Sequence, residues 1–153
     1  MTQPTLVSLV HLGCARNLID SEVMLARMAE QGLLVTADEK AAQVVVLNTC
    51  SFIDPARAES EGVIRRLLRR KQKREIQAVV VAGCLVQRYK HDLERRFPGV
   101  DLFAEISDYR LLAQCVKALG GGQGVPRYLA SERPGSEREG SRLLSTPASR
   151  RRR

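Results

Sequence analysis

Ala78-Val79-Val80-Val81-Ala82, followed by Gly83-Cys84, is the stretch on which the fold turns. An unbroken apolar run of this length with β-branched residues at its centre and no polar alternation reads as a strand covered on both faces. Thr5–Leu12 and Val44–Leu47 have the same character. Between these runs the apolar spacing is helical: Ser21–Gln31 carries Leu25 and Met28 on one side, Ala56–Lys73 carries Val63, Ile64, Leu67 and Leu68, and Leu85–Arg96 carries Leu85, Tyr89 and Leu93. Asp20 is placed to cap the first helix, and Asp54-Pro55 to open the second. Val100–Glu105 supplies a further strand and Asp108–Leu119 a last amphipathic helix with Leu111, Leu112, Cys115 and Leu119 apolar, stopped by Gly120, Gly121 and Gly122. Alternating strands and helices specify an α/β fold: a doubly wound, mostly parallel, flavodoxin-like sheet over residues 4–120, with its functional crevice at the carboxyl ends of the strands.

Composition narrows the function. Of 153 residues 44% are hydrophobic but only 4% aromatic, and Trp is absent, so the core is built from Val, Leu, Ile and Ala and an aromatic-rich binding surface is excluded. No apolar run approaches the roughly 20 residues that span a bilayer, and Met1–Thr5 lacks the basic and apolar regions of a secretion signal; the expectation is a cytoplasmic protein with no membrane partner. In that reducing compartment the four cysteines are not a disulfide framework. Net charge is +8, but residues 1–120 hold 17 Lys+Arg against 14 Asp+Glu, whereas residues 121–153 hold 8 against 3. Residues 121–142 have linker composition and Arg150–Arg153 ends the chain on four arginines, so 121–153 reads as a disordered basic tail. A second basic run, Arg65, Arg66, Arg69, Arg70, Lys71, Lys73 and Arg74, falls where the second helix ends. Cations there complement the helix dipole; attraction to RNA or the ribosome through these two segments is the sharper alternative.

Three cysteines occupy equivalent places. Cys14 follows the first strand in Leu12-Gly13-Cys14, Cys50 follows the second in Asn48-Thr49-Cys50, and Cys84 follows the third in Gly83-Cys84, so all three are expected at one sheet edge. Glycine before two of them lets the backbone turn sharply and come close to a bulky group. Cys115 sits in an apolar helix face and reads as core. Cysteines are often simply buried at strand ends, and intervals of 36 and 34 residues match no short metal motif. A zinc site would want a fourth ligand from a nearby CxxC or HxxxH pair, which is absent. An iron–sulfur centre fits three thiolates, leaving one iron open to an external sulfur or small ligand. His11, in a strand, and His91, on a polar helix face, are unpersuasive as ligands or bases. Asn17, Asp20, Ser21 and Glu22 after Cys14, Asn48, Thr49 and Ser51 around Cys50, and Gln87 and Arg88 after Cys84 form either caps and turns or a polar rim. No GxGxxG, Walker loop or GxSxG elbow occurs, which removes the usual nucleotide-binding and hydrolase readings.

Leu12-Gly13-Cys14-Ala15-Arg16-Asn17-Leu18-Ile19-Asp20-Ser21-Glu22, Asn48-Thr49-Cys50-Ser51-Phe52-Ile53-Asp54 and Gly83-Cys84-Leu85-Val86-Gln87-Arg88-Tyr89 resemble the three signature segments of the N-terminal domain of radical-SAM methylthiotransferases. With Val100-Asp101-Leu102-Phe103 and Ile106-Ser107-Asp108-Tyr109, the likeness covers about residues 5–120 and is closer to the branch acting on an aspartate of a small-subunit ribosomal protein than to the tRNA branch. The resemblance implies that Cys14, Cys50 and Cys84 ligate an auxiliary four-iron four-sulfur cluster whose open iron holds the sulfur or methylthio group to be transferred. It also implies a second cluster that cleaves S-adenosylmethionine, held by a CxxxCxxC triad in a following domain. Arg142-Leu143-Leu144-Ser145-Thr146-Pro147 resembles the lead into that domain, yet no CxxxCxxC occurs here. The chain is therefore expected to be a truncated or fragmentary product, with no catalytic residues of its own and no S-adenosylmethionine site. A tRNA-branch domain and a non-catalytic flavodoxin-like binding module are the alternatives.

Overall fold

The structure, a computed structural model, describes residues 4–12, 15–49, 54–105 and 109–130. The elements run β1 (Leu6–His11), α1 (Ala15–Glu30), β2 (Leu34–Val35), β3 (Val44–Thr49), α2 (Asp54–Gln72), β4 (Ala78–Gly83), α3 (Cys84–Arg96), β5 (Leu102–Ala104), α4 (Tyr109–Gly120) and β6 (Tyr128–Leu129). They form one sheet in the order β2-β1-β3-β4-β5-β6, every pairing parallel. The order reverses between β1 and β3, so the carboxyl ends of these two strands flank the crevice where doubly wound sheets place their ligands.

The valine runs explain the layering. Every residue of β3 and β4 is buried, and the period-2 alternation of a strand divides them between two cores. Val44, Val46, Val80 and Leu102 face α1 and α4, packing with Met24, Met28, Leu112 and Val116. Val45, Leu47, Val79, Val81 and Phe103 face α2 and α3, packing with Ile64, Leu67, Leu85 and Leu93. Each fully buried aliphatic contributes roughly 1.5–3 kcal/mol, which is how a core almost without aromatic rings suffices. Cys115 is 7% exposed within the first core, as its apolar helix face implies, and burial pushes its thiol up.

The structure departs from the sequence reading in four places. The first helix begins at Ala15, not Ser21, so Asp20 lies inside it and does not cap it; Leu18 and Ile19 are 48% and 65% exposed, so this first stretch shows the core no apolar period. β2 and β6, two residues each, have no signature of their own and exist through parallel pairing with β1 and β5. The fifth strand is Leu102–Ala104, shorter than Val100–Glu105. Finally, β6 carries the sheet nine residues past Gly120, into what composition marks as linker. The rest of the expected tail, 131–153, lies outside the described residues.

On the α2–α3 face a buried carboxylate organises three guanidinium groups. Glu61 accepts from Arg57 Nε at 2.8 Å and from Arg96, with Arg65 at 3.6 Å. The Arg57 guanidinium lies 3.9 Å from the centre of the Tyr89 ring, where α3 departs from helical geometry (φ −124°, ψ 27°). Burial pushes the Glu61 carboxyl up, but hydrogen bonds from Arg96 and Arg57 outweigh it and hold the group below its ordinary 4.5. A lowered folded-state pKa means that this contribution is complete above the unfolded value and lost as pH falls through the folded one. The Glu61→Gln variant is therefore expected to be less stable than the parent at pH 7, with the gap closing below about pH 4. Urea titrations of both proteins from pH 3 to 7 check it; a constant gap would show that charge plays no part.

Candidate metal centre

The carboxyl edge is built by strand register. His11 of β1 is level with Asn48 of β3, Asn48 with Ala82 of β4, and Thr49 with Gly83. Beyond that row the chain leaves β1 through Leu12, whose N–H bonds the Asn48 carbonyl at 2.9 Å, and reaches Ala15 at the head of α1. It leaves β3 at Thr49, immediately before Cys50, and β4 at Gly83, with Cys84 the first residue of α3. Cys84 is half-buried there. Cys14 and Cys50 lie outside the described residues, as do Gly13, Ser51 and the side chain of Asn17. The structure thus places one expected ligand and, by register, the strand ends that carry the other two.

Gly83 shows why these loops can crowd together. Its φ is +105°, a region open in practice only to glycine. A Cβ there would sit 2.6 Å from the Thr49 carbonyl oxygen and 2.7 Å from Asn48 Oδ1. The close approach that this glycine makes here is to the end of the neighbouring strand. Thr49 Oγ1 ties the same ends together by donating to the Ala82 carbonyl at 2.6 Å.

Behind the edge lies a polar network that the sequence disguises as helix-capping letters. Asn48 Nδ2 donates to Ser21 Oγ at 2.8 Å, and Ser21 Oγ lies 2.8 Å from His11 Nδ1. Asn48 is 0% and Ser21 3% exposed. Because Ser21 accepts from Asn48, its own hydrogen is available to His11 Nδ1, an arrangement that suits the neutral Nε2–H imidazole. One buried amide therefore links α1, β1 and β3, with its oxygen facing β4. Across the rim, Tyr109 of α4 donates to Asp20 Oδ1 at 2.8 Å. Burial raises the Tyr109 phenol above its ordinary value, and the hydrogen bond to Asp20, the charge of Asp20 and the charge of Cys84 add to this. Glu22, Gln87, Arg88 and His91 are exposed. Among the described residues no cluster of three or more His, Cys, Asp or Glu side chains forms a site by itself.

The uncharacterized protein family UPF0004 matches residues 6–105, which takes in all three cysteine segments and the sheet from β1 to β5. The chain belongs to this family. Three similar proteins are each named ribosomal protein uS12 methylthiotransferase RimO. That of Geobacter sulfurreducens is 39% identical over 142 residues, 93% of this chain and 32% of its own length. That of Trichlorobacter lovleyi is 41% identical over 141 residues, 92% and 31%, and that of Citrifermentans bemidjiense 44% over 110 residues, 72% and 25%. The UPF0004 chain spans a third or less of the length of these relatives. The likeness read from its cysteine segments, to a methylthiotransferase domain of the ribosomal-protein branch, is borne out.

Proposed function

We propose that this chain is the auxiliary-cluster domain of a ribosomal-protein methylthiotransferase, with Cys14, Cys50 and Cys84 as the three thiolate ligands of a four-iron four-sulfur cluster. The observation that supports it is the register row His11–Asn48–Ala82. Each cysteine follows that row by two or three residues, a reach of roughly 7–10 Å, and adjacent strands stand only about 4.8 Å apart. Three thiolates are therefore within reach of one cubane and no fourth cysteine is, since Cys115 is packed in the α1–α4 core. When bound, such a cluster supplies one iron without a protein ligand, open to the sulfur or methylthio group to be transferred.

The chain's own residues have the supporting work. Gly83 lets β4 end against Thr49, the Asn48–Ser21–His11 network fixes how β1, β3 and α1 meet, and Tyr109 ties α4 to α1 through Asp20. The substrate side of the proposal is uS12, the ribosomal protein in the relatives' names, modified at an aspartate. In this proposal the cleavage of S-adenosylmethionine, which the resemblance to radical-SAM methylthiotransferases implies, is assigned to a separate domain and not to the residues of this chain.

Anaerobic reconstitution with iron and sulfide tests the assignment. The intact chain is expected to take up about four irons and four sulfides with visible charge-transfer absorbance. Cys14→Ala, Cys50→Ala and Cys84→Ala are each expected to lose that absorbance, and Cys115→Ala to keep it. A chain that folds but takes up no stoichiometric cluster would be the flavodoxin-like binding module instead.

A further inference from the structure

The basic run at the end of α2 divides in the structure. Glu39 pairs with Arg66 at 2.6 Å and Arg70 at 2.9 Å, Asp101 pairs with Lys71 at 2.9 Å, and Glu61 pairs with Arg65 at 3.6 Å. Arg69, Lys73 and Arg74, with Lys40 from the neighbouring loop, are exposed and form no ion pair among the described residues. They lie ahead of Ala78 and Val44, on the amino side of the sheet, opposite the cysteine edge. Lys40, Lys71 and Arg74 line a cleft of about 480 Å³ there, together with Gln43 and Gln77.

Two features of this ridge cost stability without an evident structural return. Arg74 has φ +63° and occupies the left-handed position that ends α2, its N–H bonding the Lys71 carbonyl at 3.0 Å while that of Glu75 bonds the Arg70 carbonyl at 3.0 Å. Glycine is the favoured residue at such a cap, and a bulky side chain is strained in it. Arg69 and Lys73, four residues apart, set like charges side by side. Favourable interaction with the helix dipole accounts for cations in the last turn, but it does not require an arginine where glycine fits best. A strained residue kept on a surface directs attention to what its side chain does.

We propose that Arg69, Lys73, Arg74 and Lys40 form a docking ridge for the phosphate backbone of RNA. A protein partner would need apolar anchors, and the exposed large hydrophobics, Leu18, Ile19, Leu34, Val35 and Leu111, belong to α1, β2 and the start of α4. A polyphosphate needs only spaced cations and a cleft. Contact on the amino side leaves the cysteine edge open. The ridge is defined by ion pairing and backbone geometry alone, independently of the cluster assignment.

The test is fluorescence anisotropy of a labelled 20-nucleotide single-stranded RNA titrated with the full chain at several KCl concentrations. Because Arg150–Arg153 adds four further cations to the chain, the ridge variant R69Q/K73Q/R74Q is made both in the natural chain and in one with those four arginines replaced by glutamine. In both backgrounds the ridge variant is expected to bind at least about tenfold more weakly at 0.1 M KCl, with a salt slope shallower by about 2 for three lost phosphate contacts. Arg74→Gly alone is expected to weaken binding while leaving the melting temperature equal or higher. Unchanged binding in either background, no binding by the natural chain, a fall in melting temperature for Arg74→Gly, or equal competition by polyglutamate would overturn the assignment. Iron content after reconstitution is expected to be the same in all ridge variants, so failure here is distinct from failure of the cluster proposal.

Discussion

Replacing Gly83 by alanine is expected to destabilise the protein by about 3–5 kcal/mol, a large part of the 5–15 kcal/mol that typically holds a domain together. Two costs combine. At φ +105° and ψ −166° an L side chain is in a region that is essentially glycine's alone. The added Cβ also meets backbone on the neighbouring strand: the Thr49 oxygen at 2.6 Å and the Thr49 nitrogen at 2.8 Å. Backbone cannot rotate away as a side-chain tip can. Relief would require β3 and β4 to part where their pairing is longest, from Val44↔Ala78 through Thr49↔Gly83. Urea denaturation gives the stability change, and iron uptake by the fraction still folded gives the effect at the edge. Gly62→Ala serves as control: Gly62 lies in α2 with nothing within 4 Å of its Cβ position, and the variant is expected to gain up to about 1 kcal/mol. Loss of equal size in both would mean that the Gly83 conformation carries no special weight.

How far the sequence speaks follows from which interactions are local. β3 and β4 are legible because a strand buried on both faces has no freedom to include polar residues in its middle, and Val44–Leu47 and Ala78–Ala82 have none. α4 is legible at its end because its chain reverses at Gly121 and Gly122, the latter at φ +77°. The first six residues of α1 are not, since the helix there projects past the sheet with Leu18 and Ile19 exposed. β2 is set by Leu6↔Leu34 and Val7↔Val35, and β6 by Phe103↔Tyr128 and Ala104↔Leu129. No window around Leu34 or Tyr128 contains that information.

The candidate site divides in the same way. That three cysteines follow the ends of neighbouring strands in the chain is a matter of strand order, which the alternation of elements already constrains. What Asn48, Ser21 and His11 do together does not, because each is a local turn or cap letter in its own segment, and the bond from Asn48 to Ser21 spans 27 positions. Tyr109 and Asp20 meet across 89 positions. Gly83 is a local signal, because its place before Cys84 marks a special backbone before any contact is known.

The same non-local network gives the second large effect. Asn48→Asp keeps the shape of the amide but removes its only donor, so that the Ser21 hydroxyl must turn to the new carboxylate and away from His11, and a charge enters a site that is 0% exposed. An uncompensated buried carboxylate is among the costliest single changes, and a loss of about 3–5 kcal/mol at pH 7 is expected. Asn48→Leu, which removes donor and acceptor together and brings no charge, is expected to lose about 1–3 kcal/mol. If the network acts as a unit, Ser21→Ala combined with Asn48→Leu will cost less than the two separately, with a coupling of about 1 kcal/mol in a double-mutant cycle. Full additivity would mean that the 2.8 Å contact between Asn48 and Ser21 contributes nothing. Under the cluster reading the order also carries to iron uptake: Asn48 precedes Cys50 by two residues in the chain, so the added negative charge would disfavour a cluster of anionic thiolates, and Asn48→Asp is expected to retain less iron than Asn48→Leu at equal folded fraction. The reverse order would separate the network from the metal centre and leave it a purely structural tie between β1, α1 and β3.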